Sequence, residues 1–198
     1  MNIAVVDYGT GNLHSLVKGL ERSGAQVWVE ADLTEALRAN AIVLPGVGAF
    51  GAAAAQLAPG AAALQEAIAA GKPCLGICLG MQLLFDGSEE GAGAGLGAVS
   101  GSIRRLIGRR VPHMGWNDVE MIDDPLFAGI PRFTAYYANS YVAEPSDESE
   151  VIAWSRYDHE RFPAAVRRDS VWGVQFHPEK SGEAGLRLLS NFVAQARP

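Results

Sequence analysis

The stretch Lys72–Gly80, which reads Lys-Pro-Cys-Leu-Gly-Ile-Cys-Leu-Gly, decides the fold of this chain. Its first part is strand-like, and a helix-like stretch begins near Leu79. Cys78 lies in the turn between them with a glycine two residues to either side, the layout of a nucleophile elbow with sulfur in place of the usual hydroxyl. A Cβ beside such a tight turn would collide with the adjacent strand and helix. The pattern predicts a thiol at the carboxyl end of a strand, where the N–H groups of the helix's first turn favour the thiolate.

A second motif, near the end of the chain, supplies a base. Val171–Phe176 reads as a strand and is followed by His177, Pro178 and Glu179. If the extended chain continues through Pro178, His177 and Glu179 project to the same side, which the proline favours by restricting its own φ and the residue before it. We expect Cys78 to be the nucleophile, His177 the general base and later general acid, and Glu179 the group that orients the imidazole. The sequence therefore predicts acyl transfer on an amide or ester.

Metal binding is the main alternative for a thiolate, an imidazole and a carboxylate, since all three are zinc ligands. The chain has four histidines and two cysteines, and no His pair at i, i+4 or second Cys-x-x-Cys completes a site. We therefore predict no metal. Cys74 is expected to be a small apolar residue in a buried strand, and a disulfide to Cys78 is disfavoured because an extended strand holds the two about 13 Å apart.

Apolar strands alternate with helical stretches through the first half of the chain. Such alternation predicts an α/β fold of three layers, with a mostly parallel central sheet and helices on both faces. The second half is less regular, and we expect part of it to be antiparallel. The predicted strands are 2–7, 25–29, 41–44, 72–77, 119–121, 134–137, 151–157, 164–168 and 171–176, and the predicted helices are 13–23, 33–39, 61–70 and 182–196.

Size and composition predict a single domain over residues 1–198. A chain of this length buries about 70% of its unfolded surface. The glycine- and alanine-rich segment 87–101 is interpreted as a surface loop rather than a linker, because neither half of the chain contains a complete sheet. With no leader before the first strand and no apolar stretch near ~20 residues, we expect a cytoplasmic protein without membrane contact. The net charge of -6 argues against a nucleic-acid partner.

Five segments carry a resemblance to a known family. Residues 76–82 (Gly-Ile-Cys-Leu-Gly-Met-Gln) and 176–181 (Phe-His-Pro-Glu-Lys-Ser) resemble the class I, triad-type glutamine amidotransferases. Residues 7–13 (Asp-Tyr-Gly-Thr-Gly-Asn-Leu), 44–50 (Leu-Pro-Gly-Val-Gly-Ala-Phe) and 112–117 (Pro-His-Met-Gly-Trp-Asn) resemble one branch of it, the glutaminase subunits of imidazole glycerol phosphate synthase from histidine biosynthesis. The resemblance covers essentially the whole chain.

This resemblance implies an activity and a partner. The substrate would be L-glutamine, hydrolysed without a cofactor to L-glutamate and ammonia by Cys78, His177 and Glu179. Ammonia would pass through a channel to a cyclase subunit in a heterodimer, which makes imidazole glycerol phosphate and an aminoimidazole carboxamide ribonucleotide.

The resemblance also implies an oxyanion hole formed by the backbone N–H of Leu79 and by the glycine loop after the third strand. Val47 and Gly48 of that loop are candidate donors and candidates for a conformational switch. Two such donors stabilise the negative charge that develops on a tetrahedral intermediate, each by about 3 kcal/mol. The same loop could be a phosphate cradle, but it lacks the lysine and hydroxyl of a P-loop.

Substrate recognition and partner contacts are implied in the same way. Gln82 lies one helical turn after Cys78 and so faces the same pocket. The family more often has histidine at the position of Asn139. The residues expected to bind substrate are Gly46, Gln82, Asn139, Ser140 and Tyr141. The residues expected to face the cyclase are Asn12, Trp116 and Lys180.

Three alternative functions can be weighed against the sequence. A glutaminase of another synthase, such as those that make pyridoxal phosphate, anthranilate or GMP, would keep the triad, and the block 112–117 weighs against it. A catalytically silent interaction subunit of the same fold would have lost a triad residue, and none is lost. A dinucleotide-binding module is disfavoured because His14 stands where the glycine fingerprint after the first strand needs a glycine.

Overall fold

A computed structural model describes residues 1–9 and 13–197 of the chain. The helices are α1 (His14–Glu21), α2 (Leu33–Ala36), α3 (Phe50–Leu57), α4 (Ala61–Ala69), α5 (Leu79–Leu83) and α6 (Gly182–Gln195). The strands are β1 (Asn2–Val6), β2 (Gln26–Glu30), β3 (Ala41–Leu44), β4 (Cys74–Ile77), β5 (Gly87–Ser88), β6 (Gly101–Arg105), β7 (His113–Asp118), β8 (Glu120–Met121), β9 (Thr134–Asn139), β10 (Tyr141–Pro145), β11 (Val151–Tyr157), β12 (Glu160–Arg168) and β13 (Val171–Val174). Short 3-10 turns cover Ala58–Gly60, Pro125–Phe127, Glu148–Glu150 and Pro178–Lys180.

The central sheet has eight strands in the order β2-β1-β3-β4-β13-β12-β11-β8. The strands from β2 to β13 in this order pair in parallel. The strands from β13 to β8 pair antiparallel. This mixed sheet confirms the predicted α/β class and the antiparallel part of the second half, and it draws its strands from both halves of the chain.

Alternate residues of β1 enter two different hydrophobic cores, as the side-chain period of a strand requires. Ile3 and Val5 pack in one core with residues of α1 and α6. Ala4 and Val6 pack in the other with residues of α3 and α5. All four are at most 1% exposed, and burying an aliphatic side chain this completely contributes about 1.5–3 kcal/mol. Helices therefore cover both faces of the parallel part of the sheet, as predicted.

Two smaller sheets lie beside the central one: β10-β6-β5, and the antiparallel pair of β7 and β9. The β7–β9 pair meets the central sheet through a bridge between Tyr136 and His177. Sequence periodicity missed α3 and most of these short strands. The segment 87–101 packs against the end of α5, since the N–H groups of Leu96 and Val99 donate to Leu83 and Leu84. Among the described residues, no helix is long and apolar enough to cross a membrane.

Candidate active site

Four neighbouring parallel strands end at one edge of the sheet, because the order β1-β3-β4-β13 places their carboxyl ends side by side. The residues that follow them are 7–9 after β1, 45–48 after β3, Cys78 after β4 and His177 shortly after β13. Binding sites of open α/β sheets lie at this edge. The topology therefore gathers the motifs that the sequence spreads over most of the chain.

Cys78 occupies a strained turn between β4 and α5. Its backbone has φ 49° and ψ −104°, in the left-handed half of conformational space that residues with a Cβ rarely adopt. Its N–H donates to the carbonyl of Val174 at 2.7 Å. A Cβ added to Gly80 would lie 2.0 Å from the oxygen of Leu44, and one added to Gly76 would lie 2.5 Å from the oxygen of Gly80. The flanking glycines are therefore required by close backbone packing.

The turn that carries the base differs from the extended geometry that the sequence predicted. β13 ends at Val174, and Pro178–Lys180 forms a 3-10 turn with the proline at its start. Proline suits that position because its φ matches the first residue of a helical turn. The turn brings Glu179 back beneath the imidazole, where its Oε1 lies 2.9 Å from Nδ1 of His177. The predicted pairing is thus observed, but the expected extended backbone through Pro178 was wrong.

His177 is held from several sides. Its N–H donates to the carbonyl of Tyr136 at 2.8 Å. The hydroxyl of Ser181 donates to the carbonyl of His177 at 2.6 Å and accepts from the N–H of Tyr136 at 3.0 Å. Ser181 is only 3% exposed, so these bonds are shielded from water. Together they fix the turn onto strand β9.

The charge state of His177 follows from its neighbours. Burial disfavours the imidazolium, but a hydrogen bond and the negative charge of Cys78, together with those of Glu179, outweigh it and raise the pKa of His177 to about 10. Because Glu179 engages Nδ1, the other ring nitrogen is left for the thiol. The imidazolium therefore lies against the Cys78 sulfur, and a cationic neighbour of this kind activates a cysteine nucleophile.

The loop after β3 forms the wall opposite the sulfur. A Cβ added to Gly46 would lie 2.8 Å from the oxygen of Ile77, and 3.0 Å from both Cβ of Cys78 and Cε1 of His177, so glycine is required there. Val47 is half-buried, and Gly48 is exposed with φ +126°, a conformation suited to glycine. The structure thus places the predicted oxyanion loop beside the nucleophile.

Tyr8 anchors this loop and was missed by sequence reasoning. Its hydroxyl donates to the carbonyl of Pro45, the residue before Gly46. Tyr8 is 4% exposed, and burial, followed by the charge of Cys78, raises its pKa well above the usual value. The phenol therefore stays a neutral donor. Its position directly after β1, in the Asp-Tyr-Gly motif, is the only signal the sequence offered.

Three of the predicted substrate residues lie together. Nε2 of Gln82 and Nδ2 of Asn139 both donate to the carbonyl of Tyr141, at 3.2 Å and 3.0 Å. Gln82 and Asn139 are each 4% exposed. Ser140 is half-buried, and its carbonyl accepts from the N–H of Leu106 at 3.0 Å. The β9–β10 connection therefore lies next to α5, which carries Gln82.

Of the predicted partner-facing residues, Asn12 lies outside the described residues. Trp116 is 60% exposed and meets the ring of Tyr136 edge-on at 6.2 Å. Nζ of Lys180 lies 5.7 Å above the centroid of the same ring. Met114, two residues before Trp116 on β7, is 64% exposed and faces the same side. These side chains form one exposed, largely apolar patch beside the His177 turn.

Two further titratable side chains of this region, His113 and Cys74, are buried. His113 is 3% exposed and stacks between Tyr137 and Tyr157, with ring centroids 4.8 Å and 4.2 Å away. Burial lowers its pKa to about 4, so the ring is neutral at pH 7. Burial also raises the pKa of the fully buried Cys74 to about 12. Over residues 1–9 and 13–197, no group of three or more His, Cys, Asp or Glu side chains is placed to hold a metal ion.

Gln175 is the second residue that sequence reasoning missed. It is 0% exposed, and its Nε2 lies 3.5 Å from Sγ of Cys78. The signal was present, because Gln175 is a polar residue inside the apolar run Val171–Phe176. A buried polar side chain in such a run requires hydrogen-bond partners, and here one of them is the sulfur.

Comparison with known proteins agrees with this geometry. A family model described as glutamine amidotransferase class-I matches residues 4–196. "Imidazole glycerol phosphate synthase subunit HisH" of Gloeothece citriformis is 47% identical over 203 aligned residues, which cover 98% of this chain and 96% of that protein. The subunit of the same name from Natronomonas pharaonis is 47% identical, with 96% and 93% covered. The one from Halobacterium salinarum is 48% identical, with 97% and 92% covered.

Solved structures agree on the fold. A crystal structure titled as a glutamine amidotransferase superimposes with a TM-score of 0.77 over 98% of both chains, at 20% identity. A putative GMP synthase protein from Thermoplasma acidophilum gives 0.73 over 99% of this chain and 94% of its own, also at 20% identity.

Proposed function

The chain belongs to the class I glutamine amidotransferases, and on that premise we propose that it is the glutaminase subunit of an imidazole glycerol phosphate synthase. The observation that carries this proposal is the buried Cys78 at φ 49°, facing an imidazole whose Nδ1 lies 2.9 Å from Glu179. A core cysteine needs neither the strained backbone nor the paired histidine. The substrate is L-glutamine, and the useful product is ammonia.

In the first half of the reaction, the Cys78 thiolate attacks Cδ of the glutamine side chain. The developing oxyanion is stabilised by the backbone N–H of Leu79 and by the loop of Val47 and Gly48. His177 gives its proton to the amide nitrogen as the C–N bond breaks, so that ammonia leaves and a thioester remains.

In the second half, His177 takes a proton from water as the water attacks the thioester. The C–S bond breaks, its electron pair returns to the sulfur of Cys78, and glutamate is released. Glu179 holds the imidazole in orientation through both halves. Atoms balance as glutamine plus water giving glutamate plus ammonia.

Substrate is held in this proposal by the residues beside the thiol. The residues assigned to substrate binding are Gly46, Gln82, Asn139, Ser140 and Tyr141. Because Gln82 and Asn139 already share the Tyr141 carbonyl, their positions are set before glutamine binds. Asn139 is the residue to test first, since the family more often has histidine there.

The partner in this proposal is the cyclase subunit that the names of the relatives imply. The exposed patch of Met114, Trp116 and Lys180 beside the His177 turn supports a docking surface there, because aromatic residues and methionine are enriched in protein–protein interfaces. Asn12 remains a partner contact expected from the resemblance alone. One domain over residues 1–198 and a cytoplasmic location remain predictions from the sequence.

The test is glutamate release from glutamine by the chain alone, then with a histidine-pathway cyclase and its ribonucleotide ligand. We expect the cyclase to raise the rate strongly and Cys78→Ala to abolish it. If the cyclase does not change the rate of glutamate release, the chain is still a glutaminase but serves another synthase. If neither condition releases glutamate, the interaction-subunit hypothesis replaces this proposal.

A further inference from the structure

Gln175 bridges the nucleophile and a predicted substrate residue from a fully buried position. Its backbone N–H donates to the carbonyl of Ala164 at 2.9 Å, so the main chain is fixed against β12. Its side chain reaches towards α5, where Nε2 lies 3.5 Å from Sγ of Cys78 and Oε1 lies 3.2 Å from Nε2 of Gln82. The triad mechanism makes no use of this carboxamide.

The direction of these hydrogen bonds is set by a backbone carbonyl. Tyr141 O can only accept, so the group of Gln82 that lies 3.2 Å from it is the NH2. The same NH2 faces Gln175, which must therefore present its oxygen to Gln82 and its own NH2 to the sulfur. Reversing the Gln175 amide would place two NH2 groups against each other. The chain of hydrogen bonds thus ends in a donor that faces Cys78.

A donor that faces sulfur favours the thiolate over the thiol. The titratable groups around the sulfur are His177 with Glu179 behind it, and Tyr8 from the end of β1. The carbonyl of Ala138 lies 4.0 Å from the sulfur on the side of β9. Gln175 differs from the titratable groups because its donor does not change with pH.

We propose that Gln175 is a further catalytic residue, whose side-chain N–H donates to the Cys78 sulfur and stabilises the thiolate both before attack and when the C–S bond of the thioester breaks. This inference rests on the proposed function only because it takes Cys78 as the nucleophile. In the second step the electron pair of the C–S bond moves to sulfur, where the Gln175 donor already points. Gln82 holds the Gln175 amide in the orientation this requires.

The test measures the pH dependence of Cys78 alkylation by iodoacetamide, read on the Cys78 peptide by mass spectrometry so that Cys74 does not contribute. Gln175→Met keeps the length of the side chain and removes the donor, and we expect the midpoint to rise by about one pH unit and kcat/KM to fall about tenfold. Gln175→Glu keeps an acceptor for Gln82 but turns an oxygen towards the sulfur, and it should raise the midpoint further.

The matched control is Ser155→Ala. Ser155 is 1% exposed and hydrogen-bonded to the hydroxyl of Tyr137 at 2.6 Å, so it is a comparable buried polar deletion away from the sulfur. Its alkylation midpoint should equal that of the unmodified protein. If Gln175 only fills space, Gln175→Met will also keep that midpoint, which overturns the proposal.

A measurement on the unmodified chain covers the case in which neither Gln175 variant folds. The side-chain amide resonances of Gln175 should shift with pH at the midpoint of Cys78 alkylation, and this shift should be absent in Cys78→Ala. If the Gln175 amide resonances do not shift as Cys78 ionises, the proposal is overturned. The alkylation and NMR readouts need no glutamine, so a protein that passes both without hydrolysing glutamine would refute the proposed function alone.

Discussion

Two neighbouring strands, β3 and β4, end side by side and lead into turns that are held very differently. The turn after β4 is closed by backbone packing, since a Cβ on Gly80 would lie 2.0 Å from the oxygen of Leu44. The loop after β3 is exposed to solvent at Gly48, and at its start the hydroxyl of Tyr8 donates to the carbonyl of Pro45. The nucleophile is therefore fixed by packing, whereas the wall that faces it can be adjusted.

His177 borders both regions, since it hydrogen-bonds Cys78 and its Cε1 would lie 3.0 Å from a Cβ added to Gly46. A rigid nucleophile with an exposed opposite loop fits the proposal that the partner subunit controls when the oxyanion hole is complete. Single substitutions in the turn after β4 or in the loop after β3 test this difference. They should differ in whether they destroy the fold or only the activity.

Gly80→Ala should have the largest effect, because its Cβ would meet backbone atoms of β3 that cannot move away. We expect destabilisation of more than about 3 kcal/mol and little folded protein, measured by chemical denaturation. Gly87→Ala is the matched control, since the nearest atom to its added Cβ is 3.9 Å away. A folded, active Gly80→Ala protein would show that the elbow is not fixed by packing.

Glu179→Gln should act on the imidazole that both regions share, lowering glutamine hydrolysis about 100-fold or more. In the folded protein the pKa of His177 is raised from 6.5 to about 10. Its contribution to stability is therefore complete below about pH 6.5 and is lost as the pH rises through about 10.

Without the carboxylate, the pKa of His177 falls and this alkaline loss begins at lower pH. Imidazole titration by NMR and unfolding free energies between about pH 6 and pH 10 measure the change. Glu183→Gln, an exposed carboxylate four residues on, serves as control. If both variants follow the unmodified protein over this range, Glu179 does not set the charge of His177.

Tyr8→Phe should loosen the adjustable wall by leaving the buried carbonyl of Pro45 without its donor. The expected cost is about 1–3 kcal/mol of stability, with a fall in kcat larger than any rise in KM. Tyr157→Phe removes a hydroxyl that donates to the Arg110 carbonyl at 3.0 Å at an exposed site, and it should change neither constant. An equal rise in KM for Tyr8→Phe would assign Tyr8 to substrate binding instead.

Gly48→Ala should have the smallest effect on the fold, about 1 kcal/mol for its positive φ, yet still lower kcat. Gly129→Ala carries a comparable backbone cost at φ +72° with open space around it, and it should leave glutamine hydrolysis unchanged. Thermal unfolding and steady-state kinetics on both variants make the comparison. If Gly48→Ala and Gly129→Ala have equal kcat values, Gly48 is not part of the proposed oxyanion hole.

Much of the fold was readable from local pattern, because strand alternation and helix periodicity are written into consecutive residues. The bounds of β3 and β11 were predicted to the residue. The backbone after His177 was not, because the turn is set by Ser181 and Tyr136, which lie on the next helix boundary and on a distant strand. β5 was missed because it has only two residues, and β6 because its sequence, Gly-Ser-Ile-Arg-Arg, contains a single apolar side chain.

The family, the elbow, and the candidate nucleophile, base and acid could be identified from the amino-acid sequence, because each depends on residue types at short spacings. Only the tertiary structure decided that Tyr8 ties the loop after β3 and that Gln175 faces the sulfur of Cys78. Those contacts join strands distant in sequence, and no spacing along the chain encodes which parallel strands end side by side.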